Sequence, residues 1–119
     1  MGNKICHVEF SCKSTKETAE WFGKLFGWKL DHMMDTYTLF QTEEGGLGGG
    51  FRAFEEGEGP GSATMRVYIE VDDIEAKLKE IEGAGGTTVM GKTPISPEHG
   101  FFALFNDPDG VGYGLWSKN

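Results

Sequence analysis

The N-terminal segment alternates regularly between apolar and polar residues. In CHVEFSC, residues 6–12, every second side chain falls on the same face of an extended chain. One face carries Cys6, Val8, Phe10 and Cys12, and the other carries His7, Glu9 and Ser11. This alternation predicts a half-buried β-strand.

Helical periodicity follows directly. Ser14 is a typical N-cap with Glu17 three residues later, and Gly27 is a typical helix stop. Apolar residues between them recur at helical spacing and include Ala19, Phe22 and Phe26. The pattern predicts one amphipathic helix whose aromatic residues, Trp21, Phe22 and Phe26, together with Trp28, pack in the core.

Three short β-type runs come next, at residues 28–34, 36–42 and 46–54, with the turn EEGG between the last two. The segment 55–63, EEGEGPGSA, is rich in Gly and Glu and has no large apolar residue. It is typical of a flexible, solvated connector that includes Glu55, Glu56 and Glu58.

The same pattern then repeats. Residues 65–71 alternate, a helix capped by Asp72 follows, and runs at 87–92, 101–106 and 111–116 complete the set, with the turn DPDG joining the last two. The sequence therefore predicts an α+β fold of two tandem βαβββ modules, at residues 4–54 and 64–117, with a linker at 55–63.

Aligning the two modules pairs Gly45 with Gly110, Gly49 with Gly114, and Phe51 with Trp116. The glycine-rich run of residues 46–51 is then the last strand of the first module. Glycine weakens a strand by about 0.5 to 1 kcal/mol relative to alanine. Close approach of a ligand or of another backbone is the usual reason for accepting that loss.

Composition narrows the classes of function. The 119 residues are enough for one domain, and 11 Lys and Arg against 19 Asp and Glu give a net charge of −8. No basic patch or long apolar run offsets this charge, so neither a nucleic acid nor a membrane is expected as a partner. The start of the sequence lacks the apolar stretch of a signal peptide, which predicts a cytoplasmic location. Cys6 and Cys12 are too far apart on one strand to form a disulfide and are expected to be reduced.

One nucleotide-binding pattern occurs but lacks its structural context. Residues 86–93, GTTVMGKT, match the phosphate-loop pattern. A helix precedes them, their centre favours a strand, and Pro94 and Pro97 prevent a long helix from following. A β-strand is therefore expected there.

Four features of the sequence carry a resemblance to a known family. They are the duplicated order of elements, a histidine in the first strand, WFGKLFGW at residues 21–28 and the closing DPDGVGYGLW at 107–116. With these features the sequence resembles the glyoxalase, bleomycin-resistance and extradiol-dioxygenase (vicinal oxygen chelate) superfamily. The resemblance spans the chain from the first strand to Trp116. It implies that each module curls into a half-barrel of mixed sheet with its helix outside and a ligand cleft within. The residues it implies for the cleft are His7, Glu9, Arg66, Tyr68 and Glu70.

Metal-dependent members of that superfamily hold their ion at four equivalent strand positions, which the resemblance transfers to His7, Gly49, Arg66 and Gly114. Only His7 among these can bind a metal, because glycine offers no ligand and arginine repels a dication. We therefore expect no cofactor. Gly49 is interpreted as leaving room where a carboxylate would stand.

The leading hypothesis is a metal-free protein that binds a small molecule bearing polar and aromatic parts. Its expected ligand-binding residues are His7, Glu9, Gly49, Arg66, Tyr68, Glu70, Gly114 and Trp116. The catalytic candidates are His7, Glu9, Tyr68 and Glu70, although no nucleophile is paired with a base.

Two alternatives stay open. One is a metal-dependent glyoxalase-like lyase or dioxygenase, in which His7 with Glu9 or Glu70 holds a divalent metal. The other is a non-catalytic interaction module that contacts a second copy through Leu47 and Phe51. A homodimer is the expected assembly in any of these cases.

Overall fold

The computed structural model describes residues 2–59 and 65–119. The chain divides into two compact units. The first unit is residues 7–65, and the second unit is residues 1–6 together with 66–119. Residues 60–63 of the expected linker, and residue 64 at the start of the expected second module, lie outside the described residues.

The first unit has the βαβββ order that the sequence pattern predicts. Strand β1 (Ile5–Cys12) leads into helix α1 (Thr15–Phe26), and strands β2 (Lys29–Met34), β3 (Tyr37–Gln41) and β4 (Gly48–Ala53) follow. The strands lie in the order β2-β3-β4-β1. The β1–β4 pair is parallel and the other two pairs are antiparallel.

Helix α1 begins and ends at the predicted residues. The Ser14 hydroxyl oxygen accepts the Glu17 backbone N–H at 3.2 Å, which satisfies one of the free N–H groups of the first turn. At the other end Gly27 adopts φ 74°, and its N–H donates to the Gly23 carbonyl at 2.9 Å. Glycine is favoured at this position because the left-handed conformation disfavours a side chain.

The core of the first unit is aromatic and lies between α1 and one sheet face. Phe40 and Phe51 are buried there, and Trp28 stacks on Phe40 with ring centroids 4.5 Å apart. The interpretation of Phe51 as a surface contact is therefore wrong, because its side chain is fully buried. The core prediction fails for Trp21 and Phe26, which are 58% and 60% exposed. Phe26 lies in the last turn of α1, where its ring contacts those of Phe22 and Trp28 at the edge of the cluster.

The second unit repeats the order. Strand β5 (Met65–Glu70) leads into helix α2 (Ile74–Gly83), followed by β6 (Thr87–Ser96), β7 (Gly100–Asn106) and β8 (Gly112–Ser117). The strands lie in the order β5-β8-β7-β6, with β5 and β8 parallel. These two units confirm the α+β class built from βαβββ modules with mixed sheets.

Helix α2 packs Ile74 and Leu78 against Ala103 and Leu115 of the second sheet. Its N-cap is Asp73, whose carboxylate accepts the Ala76 N–H at 3.0 Å. The expectation of Asp72 is wrong by one residue. Either aspartate fits the sequence pattern of a cap, but the helix begins at Ile74, so Asp73 is the residue directly before it.

Other local predictions are confirmed. The phosphate-loop pattern lies mostly within β6, so it is a strand. In the DPDG turn Gly110 has φ 88° and donates its N–H to the Asp107 carbonyl. Cys6 and Cys12 are free thiols, and burial raises the pKa of each. Among the described residues, no helix is long and apolar enough to cross a membrane.

Candidate functional site

Strand register decides which side chains of the first unit share a face. Val8, Gly49 and Phe40 lie side by side on β1, β4 and β3, on the face that packs against α1. Their neighbours one residue along lie on the opposite face, because side chains alternate along a strand. That opposite face, here called the polar face, carries His7, Glu9, Tyr37, Gly50 and Arg52.

A hydrogen-bond chain crosses the polar face from β1 to β3. The Tyr37 hydroxyl donates to Glu9 Oε2 at 2.8 Å. With its proton committed to Glu9, the same oxygen accepts from His7, whose Nε2 lies 2.9 Å away. The geometry therefore places the His7 proton on Nε2.

Burial keeps His7 neutral. Loss of solvent around the imidazole lowers the pKa of His7 from its usual 6.5 to about 4. At physiological pH the ring is uncharged and acts as a hydrogen-bond donor and acceptor. The first strand thus supplies one neutral polar group, His7, and one nearly fully buried carboxylate, Glu9.

Arg52 of β4 extends the chain beyond Glu9. Its side chain is 10% exposed, and its Nε lies 3.3 Å from Glu9 Oε1. Its Nη1 and Nη2 donate to the two carboxylate oxygens of Glu58 at 2.7 and 3.0 Å, and Nη1 also lies 3.0 Å from Glu55 Oε1. The Glu58 hydrogen bond, followed by the charges of Glu58, Glu55 and Glu9, raises the pKa of Arg52, so the guanidinium stays charged.

These contacts correct the interpretation of Glu58 as part of a solvated linker, whereas the Glu55 side chain is 65% exposed. The Glu58 side chain is only 15% exposed because both of its oxygens bind Arg52. A buried guanidinium needs compensating negative charge, and Glu9 alone faces only its Nε. The connector supplies the rest of that charge.

The interpretation of Gly49 as open space is also wrong. A Cβ on Gly49 would overlap the Val8 carbonyl oxygen and lie 2.6 Å from the Phe40 ring. Gly50 lies on the polar face, where a Cβ would overlap the Tyr37 hydroxyl. Glycine at these two positions therefore admits the neighbouring backbone and the Tyr37 ring.

The error arises from a one-residue difference between the two hairpins. Strand β4 begins three residues after Gly45, whereas β8 begins two residues after Gly110. Gly50 therefore corresponds to Gly114, and Arg52 corresponds to Trp116. A slip of one residue turns every side chain of a strand to the other face. For that reason the sequence alignment missed Arg52, although the alternation of residues 48–53 contains it once the register is known. Tyr37 was missed because only the first and last strands of each module were assigned to the cleft, and Tyr37 lies on β3.

The remaining expected residues belong to the second unit. On the sheet face opposite α2, Tyr68 pairs with Gly114 and Glu70 pairs with Trp116. The Tyr68 ring covers Gly114, whose Cβ would overlap it. Glu70 is 3.7 Å from the Lys4 ammonium, and the Trp116 indole N–H donates to the His99 carbonyl at 2.6 Å.

Arg66 lies on β5 two residues before Tyr68 and is half-buried. The structure thus brings His7 and Glu9 together in the first unit, and groups Arg66, Tyr68, Glu70, Gly114 and Trp116 on β5 and β8 of the second.

One serine–histidine contact occurs that the sequence analysis did not anticipate. Ser96 Oγ lies 2.7 Å from His99 Nδ1. The same oxygen accepts the His99 backbone N–H at 3.1 Å, so the contact closes a turn between β6 and β7.

The chain belongs to the Glyoxalase/Bleomycin resistance protein/Dioxygenase superfamily, whose sequence pattern matches residues 4–113. Among curated proteins it is similar to the anthracycline biosynthesis protein DnrV of Streptomyces peucetius, with 30% identity over 117 residues. It is also 29% identical to the anthracycline biosynthesis protein DauV of Streptomyces sp. (strain C5). Each alignment covers 85% of this chain and 42% of the relative, so the chain spans less than half the length of these relatives.

Solved structures support the fold. Methylmalonyl-CoA epimerase from Mycobacterium tuberculosis matches with a TM-score of 0.77 at 14% identity, covering 97% of this chain and 87% of that one. The Mn(II)-bound glyoxalase from Novosphingobium aromaticivorans matches with a TM-score of 0.71 at 15% identity, covering 98% and 40%. At these identities the likeness concerns the fold alone.

The polar face does not fit a divalent metal. Within residues 2–59 and 65–119, no group of three His, Cys, Asp or Glu side chains is placed to hold an ion. His7 Nε2 and Glu9 Oε2 both bind the Tyr37 hydroxyl, and the Arg52 cation lies beside the other Glu9 oxygen. A dication at Glu9 would meet that guanidinium charge at close range.

Proposed function

We propose that this chain is a small-molecule-binding member of its superfamily whose polar face holds the ligand without a protein-bound metal. The observation that carries the proposal is the hydrogen-bond chain from His7 through Tyr37 to Glu9. Its members lie on two strands of one sheet, β1 and β3, so their polar atoms are oriented before a ligand arrives. Arg66, Tyr68, Glu70 and Trp116 remain proposed ligand-binding residues on the second unit.

The ligand that we propose is a planar aromatic molecule with polar substituents. A neutral His7 and a Tyr37 hydroxyl suit uncharged oxygen or amide groups, since each can exchange a hydrogen bond without burying a new charge. The names of the two anthracycline biosynthesis relatives support a polycyclic aromatic compound. Binding is favoured over catalysis because burial lowers the pKa of His7 to about 4, which makes its imidazole a weak base at physiological pH.

A direct test uses anthraquinone-2-carboxamide, an uncharged planar probe, titrated calorimetrically into the purified protein. We expect saturable binding, and we expect Tyr37→Phe to weaken it by about tenfold, the effect of losing one well-oriented hydrogen bond. Tyr113→Phe is the matched control, because it removes a phenol hydroxyl that donates to Asp107 in the DPDG hairpin of the second unit. No binding to the wild-type protein, or equal loss in both variants, would contradict the proposal.

We also propose that the chain pairs with a second copy of itself. Exposed aromatic side chains support this, because Trp21 and Phe26 together with Leu25 leave an apolar strip on α1. Sedimentation velocity of the wild-type protein and Trp21→Glu tests the idea, with a dimer expected only for the wild type. A wild-type monomer would contradict it.

A further inference from the structure

Most of the counter-charge of Arg52 comes from outside the polar face. Glu9, on the neighbouring strand, already lies beside its Nε. The two terminal nitrogens of the guanidinium, which form the geometry best suited to a carboxylate, both bind Glu58. This fork is therefore complete before any ligand is present.

Glu58 does not come from the sheet that carries Arg52. It lies in the segment after β4, in a turn closed by its own N–H donating to the Glu55 carbonyl at 2.9 Å. Gly57 in this turn has φ 87°, and the Glu55 N–H donates to Glu58 Oε1 at 2.7 Å. The contact is thus made by a short local turn, which can open without disturbing the strand pairs of the sheet.

We infer that Arg52 is the anion-recognition residue of the proposed site, and that Glu58 is a built-in substitute which a ligand carboxylate displaces. The inference rests on the proposed function and adds a carboxylate, bound by Arg52, to the polar substituents of the proposed planar aromatic ligand. Exchange of one carboxylate for another preserves both hydrogen bonds of the fork, so the guanidinium is never left buried without a counter-charge.

Displacement has a measurable consequence for affinity. A ligand that needs the fork competes with Glu58, so its apparent affinity is reduced by the fraction of molecules in which Glu58 has released Arg52. A ligand of the same shape without a carboxylate does not need the fork and escapes this competition. Removing the charge of Glu58 is therefore expected to strengthen binding of the ligand that has a carboxylate and to leave binding of the ligand without one unchanged.

The experiment compares anthraquinone-2-carboxylate with anthraquinone-2-carboxamide on the wild-type protein, on Glu58→Gln and on Glu56→Gln. Glu56 is the matched control, because the same charge is lost in the same exposed turn, two residues away. We expect Glu58→Gln to bind the carboxylate about tenfold more tightly, while the carboxamide changes less than about twofold. In Glu56→Gln neither affinity changes by more than about twofold, which is the effect of an exposed charge.

Two further variants protect the test. Glu58→Asp keeps the charge but shortens the side chain, so it can no longer bind both terminal nitrogens of Arg52. A gain in affinity for the carboxylate probe in this variant tests the inference even where Glu58→Gln fails to fold. Arg52→Lys in the Glu58→Gln background removes the planar fork and is expected to abolish the gain.

The outcomes separate the two proposals. If the wild type binds the carboxamide but the Glu58 variants show no gain in affinity specific to the carboxylate, the displacement inference is overturned. The proposed function is not contradicted by that result. An equal gain for both probes, or the same gain in Glu56→Gln, also overturns it. Absence of binding by both probes in every variant overturns both proposals together.

Discussion

His7 shows how a single buried side chain sets the chemistry of the polar face. Its imidazole donates to Tyr37 and carries no charge at physiological pH, because burial holds its pKa at about 4. A charged imidazolium at the same place would add a donor and remove an acceptor. The neutral ring is therefore part of the recognition surface that we propose.

The shifted pKa of His7 predicts acid sensitivity. In the unfolded chain the pKa of His7 returns to about 6.5, so the unfolded state takes up a proton first as the pH falls. The stability from neutral His7 is complete above pH 6.5 and is lost between about pH 6.5 and 4. The full loss amounts to about 3 kcal/mol.

Urea unfolding of the wild type and His7→Gln at pH 7.5 and pH 4.5 measures this effect. We expect the wild type to lose about 2 kcal/mol more than the variant on acidification. His32→Gln is the control, since His32 is exposed and lies on β2. A pH dependence that is unchanged in His7→Gln would show that burial of His7 is not the cause.

Arg52 and Glu58 show what sequence patterns miss at the residue scale. A run of Glu and Gly is usually solvated, and nothing in residues 55–59 distinguishes Glu58 from Glu56. The distinction is made in space, by the position of a buried guanidinium six residues earlier. The charge requirement of Arg52 becomes visible only when its burial is known.

At the scale of elements, alternation and capping residues predicted both helices and nearly every strand. They succeeded because those signals are local: Ser14 and Gly27 determine the ends of α1 through contacts within four residues. The register of β4 is not a local property, since it depends on the number of residues in the EEGG hairpin. One additional residue there moved Gly49 to the core face and brought Arg52 to the polar face.

Gly49 gives the element-scale prediction. In Gly49→Ala the new methyl group overlaps the Val8 carbonyl of β1, so β1 and β4 must separate locally. We expect a loss of about 1 to 3 kcal/mol in the free energy of unfolding, typical of an overpacked core.

Gly91→Ala is the matched strand control. A Cβ on Gly91 meets nothing within 4 Å. The free energy of unfolding of Gly91→Ala is therefore expected to differ from that of the wild type by less than about 1 kcal/mol. Denaturation midpoints measure both. Equal midpoints for the two variants would show that close approach of β1 is not why glycine occupies position 49.

At the scale of the whole molecule, one βαβββ pattern supports two different polar surfaces. The first unit carries the network of His7, Tyr37, Glu9 and Arg52, whereas the second carries Tyr68 over Gly114 and the hydrogen-bonded Trp116. The duplication was readable from the sequence because both units repeat the same order of an alternating strand, a capped helix and three further strands. The difference between the two surfaces lies in their side chains, since one fold accommodates many kinds of site.

The central claim is that the polar face binds an aromatic ligand without a metal. It is tested most directly by calorimetric titration of anthraquinone-2-carboxamide into chelator-treated, desalted protein whose metal content has been measured by mass spectrometry. The same titration is repeated after addition of zinc, nickel, manganese or ferrous ions. We predict one affinity in all five samples and no retained metal. Binding that appears only after one of these ions is retained would contradict the account and favour a metal-dependent enzyme.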